Sequence, residues 1–401
     1  MANTDKRGLE SQGLCEIAEG IRRGEFSCTD VLESIFAAVD ERNPAINAFI
    51  WQEREQSLAE AAEYDKKRPA DLSGKPLFGV PLAHKDMYYQ AGRLATCGSE
   101  QRAAFRPGYT ATVIERLEAA GSITFGGLNM AEFAQNATGH NVHFGNCRNP
   151  WDNDYVTGGS SSGSGAAVAA RLTYASLGSD TAGSIRLPAS LCGVTGLKTT
   201  WSRVSRYGVM PMSFSCDTVG PLARSAKDCA QMLQVIAGRD PLDPTSAEVP
   251  VRDYLGALDG DVRGLRIGVP YSYFFEPVDD EIARAFDEAL AVLVARGAVV
   301  KTVMPPHLDA IAGYMSIISR VEAATIGAQW MREAPDRYAP HLAGRLYLGA
   351  AVPAVAYIEA LSRRGGILRD FGRQVFSEVD VVMTPMIRIK APTIAESDAD
   401  G

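Results

Sequence analysis

The chain has 401 residues, of which 46% are hydrophobic and 22% are charged, and its formal net charge is −8. This composition is ordinary for a globular protein with a large core and excludes a disordered chain. The acidic excess argues against wrapping a nucleic-acid backbone, because phosphate binding needs clustered positive charge. The first residues are polar, and the longest uncharged, mostly apolar segment, 346–358, is shorter than the roughly 20 residues that span a bilayer. We therefore expect a cytoplasmic protein that binds neither nucleic acids nor membranes.

The N-terminal part of the chain has the pattern of paired helices. Residues 11–49 carry apolar side chains at helical spacing, and capping residues before Val31 interrupt the pattern. Further along, Thr112 begins a pattern that predicts a helix ending at Gly121, and residues 122–125 follow as a strand.

The same alternation returns later in the chain. Residues 265–269 and 298–300 are predicted strands on either side of a helix over 282–295, and residues 308–376 are predicted to be helical. Strands that alternate with helices indicate a layered α/β sheet, which the long helical segment would cap. No linker or change of composition divides the chain, so one large domain is expected.

Two serines with glycine neighbours are the strongest candidates for chemistry. Ser160 lies in Gly-Gly-Ser-Ser-Ser-Gly-Ser-Gly (158–165), and Ser184 lies 24 residues later in Gly-Ser-Asp-Thr-Ala-Gly-Ser-Ile-Arg (178–186). Glycine permits tight turns and close backbone approach. Taken alone, the first motif is also compatible with a structural turn or with an anion site at a helix N-terminus. It matches G-x-S-x-G as well, which would make Ser161 a nucleophile served by a downstream histidine, His307 or His341.

A serine hydroxyl needs a neutral base to become a nucleophile. Lys85 follows eight largely apolar residues, and burial lowers the pKa of an amine. The simpler alternative is an ion pair with Asp86. His140 and His143 lack the H-E-x-x-H spacing and any paired cysteines, so we expect no metal site.

Taken together, residues 79–86 (Gly-Val-Pro-Leu-Ala-His-Lys-Asp), 158–170 and 176–198 resemble the amidase signature family of serine hydrolases. The resemblance runs from residue 14 to about 385. It implies an α/β fold in which a large, mixed, twisted sheet is sandwiched by helices, with a helical cap region. The expected single domain, 1–401, comprises N-terminal helices (1–70), a signature core (71–240), and the remaining α/β core and cap (241–401). Family members continue past the segment that ends at Pro385, so the chain is expected to be short at its C-terminus.

The resemblance also implies a catalytic triad without a cofactor. Ser184 matches the nucleophile, Ser160 the bridging serine after a cis peptide bond, and Lys85 the base. Asp180 and Arg186 match positions that brace the loop. Four backbone N–H groups match the oxyanion hole, those of Thr181, Ala182, Gly183 and Ser184.

Some positions depart from the family pattern. His84 stands where a small or apolar residue is usual, and Ala182 where glycine is frequent. Neither change removes a triad member. The wall of the substrate pocket is expected to include Arg203, Met210, Met212 and Phe214.

The function implied is hydrolysis of small, fairly apolar amides, including anilides, with carbamates (urethanes) and esters also accessible. One alternative is the A-type component of a glutamyl-tRNA amidotransferase, which releases ammonia from glutamine. Another is a binding protein without catalytic activity. We also expect a homodimer, which is common among similar enzymes.

Overall fold

A computed structural model describes residues 8–258 and 260–399 of the chain. Two compact units divide the described residues. The first lies within Met1–Ala257, Trp330–Ala343 and Thr393–Gly401, and the second within Leu258–Gln329 and Gly344–Pro392. The expectation of a single domain stays a prediction.

The described residues contain both helices and strands along the whole chain. The helices are α1 (Leu14–Arg23), α2 (Cys28–Ile46), α3 (Arg54–Lys66), α4 (Thr112–Ala119), α5 (Ser162–Ala169), α6 (Arg186–Cys192), α7 (Ala226–Ile236), α8 (Tyr271–Phe274), α9 (Asp280–Ala295), α10 (Leu308–Glu333), α11 (Pro340–Ala350), α12 (Ala354–Val375) and α13 (Ile394–Ala399). The strands are β1 (Phe49–Gln52), β2 (Pro81–Lys85), β3 (Ile123–Leu128), β4 (Arg148–Asn149), β5 (Asp152–Val156), β6 (Ala175–Asp180), β7 (Thr195–Gly196), β8 (Thr218–Ala223), β9 (Arg266–Val269), β10 (Val299–Thr302) and β11 (Val381–Val382).

The predicted N-terminal helix pair is present as α1 and α2. Helix α2 begins at a capping box: the Ser27 side chain accepts a hydrogen bond from the Asp30 N–H at 3.0 Å, and the Asp30 carboxylate accepts one from the Ser27 N–H at 3.1 Å. Ile17, Ile21 and Ile35 are fully buried on the inner faces of these helices. The apolar spacing of the sequence therefore marks the side of each helix that packs on the first unit.

Two three-stranded sheets organise the first unit around the signature segments. Strand β3 pairs in parallel with β2 and antiparallel with β1, and β8 pairs antiparallel with both β6 and β7. Strands β2 and β6 lie side by side, joined by bonds between backbone and side chains. The Ala83 N–H donates to Thr173 Oγ1, and the Leu177 N–H donates to His84 Nδ1, both at 3.1 Å. The mixed α/β class is confirmed, and backbone pairing divides the strands into smaller sheets.

The second unit has its own parallel sheet, in the order β10-β9-β11. Helix α9 connects β9 to β10 and buries Phe286 and Leu290 against Ile267 and Val269 of β9. This confirms the predicted strand–helix–strand sequence. Residues 308–376 are mostly helical, as expected, in α10, α11 and α12. Among the described helices, none combines the length and the hydropathy that crossing a membrane requires.

Candidate active site

Lys85 is the last residue of β2, and its side chain is only 1% exposed. Its Nζ lies 2.7 Å from Ser160 Oγ and 2.8 Å from Ser179 Oγ. Burial lowers the pKa of Lys85 from 10.5 to about 7, although the negative charges of Asp217 and Asp180 act in the opposite direction. The amine is therefore about half neutral at pH 7, and its neutral form can accept a proton from Ser160.

Asp86 does not form the ion pair with Lys85 that was the simpler alternative. Its carboxylate accepts hydrogen bonds from Trp51 Nε1 at 2.7 Å and from the Thr96 N–H at 2.9 Å, and also from the Thr96 hydroxyl. Gly127 leaves room for the hydrogen bond between Trp51 and Asp86. A Cβ at position 127 would overlap the Trp51 indole and lie 2.8 Å from Asp86 Oδ1. Burial raises the pKa of Asp86 to about 7. These bonds hold the chain directly after Lys85 in place.

The loop that carries Ser160 has the cis peptide bond that the resemblance implied, between Gly159 and Ser160. Only glycine fits before it, because a Cβ on Gly159 would lie 2.7 Å from both the Asn136 carbonyl oxygen and the Gly139 nitrogen. Ser160 is fully buried, so its hydroxyl contacts Lys85 in a site closed to bulk water.

The neighbouring Ser161 connects this loop to the second serine motif. Its N–H donates to the Ser184 carbonyl at 3.3 Å, and its hydroxyl donates to the Ser179 carbonyl at 3.4 Å. Ser161 is fully buried. A nucleophile elbow requires an exposed serine, so this geometry disfavours Ser161 as the nucleophile. The bond from the Ser161 N–H brings Ser184 next to the Ser160 loop.

Ser184 is half-buried in a turn that Asp180 holds together. Asp180 Oδ1 accepts the Gly183 N–H at 2.8 Å and Asp180 Oδ2 accepts the Ile185 N–H at 3.2 Å. Arg186 donates to both oxygens, from Nε and Nη2, each at 2.9 Å. Burial alone would raise the pKa of Asp180, but Arg186 and the backbone donors outweigh it and lower the pKa. Asp180 thus contacts both the backbone of this turn and the Arg186 side chain.

The expected oxyanion donors are not all equivalent in this turn. The Gly183 N–H is already bonded to Asp180, which removes it from the predicted set of free donors. Within the described chain, the N–H groups of Thr181, Ala182 and Ser184 have no acceptor. The Thr181 hydroxyl donates to the carboxylate of Asp217, which fixes the start of the turn. Three of the four N–H groups predicted as oxyanion donors are therefore unbonded in this turn.

A cavity of about 220 Å³ lies beside Lys85 in the first unit. Its lining includes Met87 and Ser179, the residue whose hydroxyl contacts Lys85. Most of its remaining lining is apolar. It includes Val209, Met210, Pro211, Phe214, Val219 and Leu242, together with Arg206, Asp217 and Asp243.

Two of the four predicted wall residues do not line this cavity. Met210 and Phe214 do, whereas Met212 contributes its N–H to Asp217 Oδ2 at 2.8 Å. The side chain of Arg203 donates to Tyr254 Oη at 2.6 Å and to the carbonyls of residues 249 and 250. Arg203 is therefore a brace for that segment, and Arg206 is the arginine in the cavity wall.

The two histidines considered as a metal pair have separate partners. His140 Nδ1 lies 2.6 Å from Thr138 Oγ1, and His143 Nε2 lies 3.0 Å from Glu132 Oε1. Among the residues that the structure describes, no group of three or more His, Cys, Asp and Glu side chains is arranged to hold a metal ion. These histidines brace the loop between them.

Comparison with known proteins places this geometry in a family. The family model described as Amidase matches residues 30–400. The chain belongs to the amidase signature family. It is 39% identical to the A-type component of the glutamyl-tRNA(Gln) amidotransferase of Pseudomonas syringae pv. tomato over 401 aligned residues, which cover 94% of this chain and 83% of that protein.

Solved amidase-family structures have the same fold. One belongs to a vestigial protein complex that bears on the origins of an s-triazine catabolic enzyme, with 36% identity and a TM-score of 0.91 over 96% of this chain and 83% of the other. Another is a 6-aminohexanoate cyclic dimer hydrolase with its substrate, with 30% identity and a TM-score of 0.87 over 97% and 82% of the two chains.

His84, which departs from the amidase signature pattern, takes part in joining the lysine strand to the second motif. Its Nδ1 accepts the Leu177 N–H, so the proton of the neutral ring is on Nε2. Burial lowers the pKa of His84 to about 3, which keeps the ring neutral. The Nε2 atom is buried and has no partner among the described residues.

Sequence reasoning missed three polar residues of this site. Ser179 contacts the base, Asp217 holds Thr181 and the backbone of 212–213, and Arg206 lines the cavity. The alternation of β6 offered one signal, since it places Ser179 on the face opposite Asp180. Asp217 and Arg206 lie in a loop region without periodicity, so no comparable signal marks them.

Proposed function

We propose that this chain hydrolyses amide C–N bonds with Ser184 as the nucleophile, Ser160 as the proton relay and Lys85 as the base. One observation carries the proposal: a fully buried amine with a pKa near 7 lies 2.7 Å from the hydroxyl of Ser160. An ordinary lysine is protonated at pH 7 and cannot accept a proton.

The chemistry begins when neutral Lys85 takes the Ser160 proton while Ser160 takes the proton of Ser184. The Ser184 oxygen then bonds to the substrate carbonyl carbon, and the carbonyl oxygen becomes an oxyanion. The intermediate collapses by breaking the C–N bond, and the amine leaves with a proton from Ser160, which regains one from Lys85. Water, activated by the same relay, attacks the acyl group and regenerates Ser184.

The N–H groups of Thr181, Ala182 and Ser184 would receive the oxyanion. A single donor of this kind is worth roughly 3 kcal/mol in the transition state. Asp180 supports this role because it fixes the turn through the Gly183 and Ile185 N–H groups. Arg186 in turn holds Asp180 ionised.

The comparisons favour glutamine as the amide substrate. Relatives at 37–40% identity are A-type components of glutamyl-tRNA(Gln) amidotransferases. By analogy, the chain would release ammonia from glutamine for transfer to a tRNA-bound substrate, and the other amidotransferase proteins would be its partners. Sequence reasoning treated this as the alternative function, and the relatives support it better than the first choice.

The cavity favours a second candidate, a small apolar amide, carbamate or ester. Its lining is mostly apolar and includes Ser179, whose hydroxyl contacts Lys85, so an apolar substrate group would lose accessible surface there. Family structures at about 30% identity include a hydrolase of a 6-aminohexanoate cyclic dimer. This observation keeps the apolar-amide function as a specific candidate.

Covalent labelling tests the chemistry. After treatment with a fluorophosphonate, intact mass and peptide mapping should find one adduct, on Ser184. The adduct should be lost in Ser184→Ala and retained in Ser190→Ala, which changes an exposed serine of α6. A folded protein that takes up no label would overturn the catalytic proposal and favour a binding role.

Two activity assays separate the substrates. Ammonia release from glutamine by the isolated chain, without anilide cleavage, would support the amidotransferase-type function. Cleavage of an anilide or carbamate without glutaminase activity would support the apolar-amide function. Ser184→Ala should abolish whichever activity is found.

A further inference from the structure

We infer that Asn129 is a positioning residue for the proposed relay. It lies in residues 128–131, the bridging segment, which connects the strand that carries Lys85 to the loop that carries Ser160. Asn129 takes no part in proton transfer itself. It acts by holding Lys85 Nζ and Ser160 Oγ within hydrogen-bond distance. The inference rests on the proposed amide hydrolysis, whose relay it concerns.

One end of the bridging segment is paired with the strand of the base. Leu128 is the last residue of β3 and lies opposite Lys85 in the pairing of β3 with β2. The Asp86 N–H donates to the Leu128 carbonyl at 3.0 Å. The backbone of the base is therefore fixed relative to Leu128, one residue before Asn129.

The other end of the bridging segment is bonded to the relay loop. The Ala131 N–H donates to the Ser160 carbonyl at 3.1 Å. The Asn129 carbonyl accepts the Gly163 N–H at 2.8 Å and the Ser162 hydroxyl at 3.3 Å. Glycine permits this close approach, because a Cβ at position 163 would lie 2.5 Å from the Asn129 nitrogen. A shift of the bridging segment would therefore move Ser160 relative to the base.

The side chain of Asn129 prevents such a shift. It is fully buried, and its Nδ2 donates to the carbonyls of Asn47 and Gly145, both at 3.0 Å. Its Oδ1 accepts the Met130 N–H at 2.8 Å. Its backbone N–H donates to the Ala48 carbonyl, also at 2.8 Å. Loss of the side-chain amide would remove three bonds between buried groups, and two of them reach other parts of the chain.

Asn149 offers a matched control because its side chain makes the same kinds of bond elsewhere. It is buried, and its Nδ2 donates to the carbonyls of Val156 and Leu191 at 3.1 and 2.9 Å. Its Oδ1 accepts the Trp151 N–H at 3.1 Å. These partners lie outside the bridging segment. A substitution at Asn149 therefore reports what the loss of a buried amide does by itself.

The rate of fluorophosphonate labelling at Ser184 tests the inference in Asn129→Leu and Asn149→Leu. Leucine has as many side-chain heavy atoms as asparagine, in the same branched arrangement, and forms no hydrogen bonds. The rate constant should fall between about tenfold and a hundredfold in Asn129→Leu and stay within about twofold in Asn149→Leu. The endpoint of labelling counts folded sites. A slower rate at an unchanged endpoint therefore reports positioning and not loss of folded protein.

Steady-state kinetics should show the same separation. In Asn129→Leu, kcat should fall by the factor seen in labelling while KM stays unchanged, because the fully buried Asn129 does not contact substrate. Asn129→Ser keeps one donor and serves as the second variant where Asn129→Leu does not fold. Its labelling should also be slower than that of the original protein, at the same KM.

Three results would overturn the inference. The first is an equal labelling rate constant in the original protein and the folded Asn129 variants. The second is a lower endpoint at an unchanged rate constant, which would show a role in stability alone. The third is the same slowing in Asn149→Leu. Failure of the proposed function looks different: the original protein itself would take up no label, and there would be no relay to position.

Discussion

Activity should rise with pH around a midpoint near 7, because Lys85 must lose its proton before it can accept one from Ser160. Burial moves the Lys85 pKa from 10.5 to about 7, which corresponds to roughly 5 kcal/mol in favour of the neutral amine. At pH 7 about half of the molecules then hold a neutral base, compared with about one in 3,000 for an ordinary lysine. The measurement is kcat/KM from pH 5 to pH 9 on whichever of glutamine, an anilide or a carbamate the protein cleaves.

Asp217→Asn should move this midpoint to lower pH. The negative charge of Asp217 raises the pKa of Lys85, so its removal makes the amine easier to deprotonate. The amide can keep the local bonds, with Oδ1 accepting from the N–H groups of 212 and 213 and Nδ2 donating to the Thr181 hydroxyl. The fold of the turn should therefore survive the change.

Asp86 requires a control, because burial raises its pKa to about 7 as well. Asp86→Asn cannot titrate at this position. If the midpoint remains near 7 in that variant, the acid limb belongs to Lys85. Loss of the limb in Asp86→Asn, or a midpoint that stays fixed or rises in Asp217→Asn, would refute the assignment of Lys85 as the titrating base.

Three further outcomes are expected. Ser179→Ala should lower kcat about tenfold, because Lys85 loses one of its two hydroxyl partners. Ser179→Thr keeps a hydroxyl and should restore most of the lost activity. Equal kcat values in all three proteins would contradict a role for the Ser179 hydroxyl. His84→Leu should lower kcat and shift the midpoint of the pH profile. His84→Asn should behave like the original protein, because its Oδ1 can accept the Leu177 N–H. Identical pH profiles for the two variants would exclude a positioning role for His84. The folded protein should gain roughly 2 kcal/mol of unfolding free energy between pH 7 and pH 9 from Lys85, since its depressed pKa means that the unfolded chain binds more protons in this window. Urea titrations of Lys85→Met should lack this increase, and a parallel pH dependence in both proteins would count against the low pKa.

The local elements of the fold could be predicted from sequence because their signals are local. Thr112 and Gly121 bracket the helix Thr112–Ala119, and a change to alternating apolar residues marks the strand Ile123–Leu128. Pairing between strands has no such signal. Strand β6 pairs with β8, about forty residues further along the chain, and nothing in either strand names its partner. The division into small sheets therefore required the structure.

The candidate site divides in the same way. Lys85, Ser160 and Ser184 lie in motifs specific enough to identify before the fold is known. Whether a residue of this loop lines the cavity depends on the direction of its side chain. Two arginines three residues apart therefore have different roles. Arg203 bonds to residues 249–254, whereas Arg206 lines the cavity. Sequence spacing cannot distinguish them, because the loop between them has no regular period.

The low pKa of Lys85 depends on how β2 and β6 close against each other. Pairing with β8 uses one edge of β6, and the Leu177 N–H points to the other edge. A buried N–H needs an acceptor, and water in that position would also solvate the amine and raise its pKa. His84 provides the acceptor from within β2, and Thr173 does the same for the Ala83 N–H. The departure at His84 thus has a physical role beside the base: a ring that stays neutral satisfies the backbone without adding a charge that would compete with Lys85.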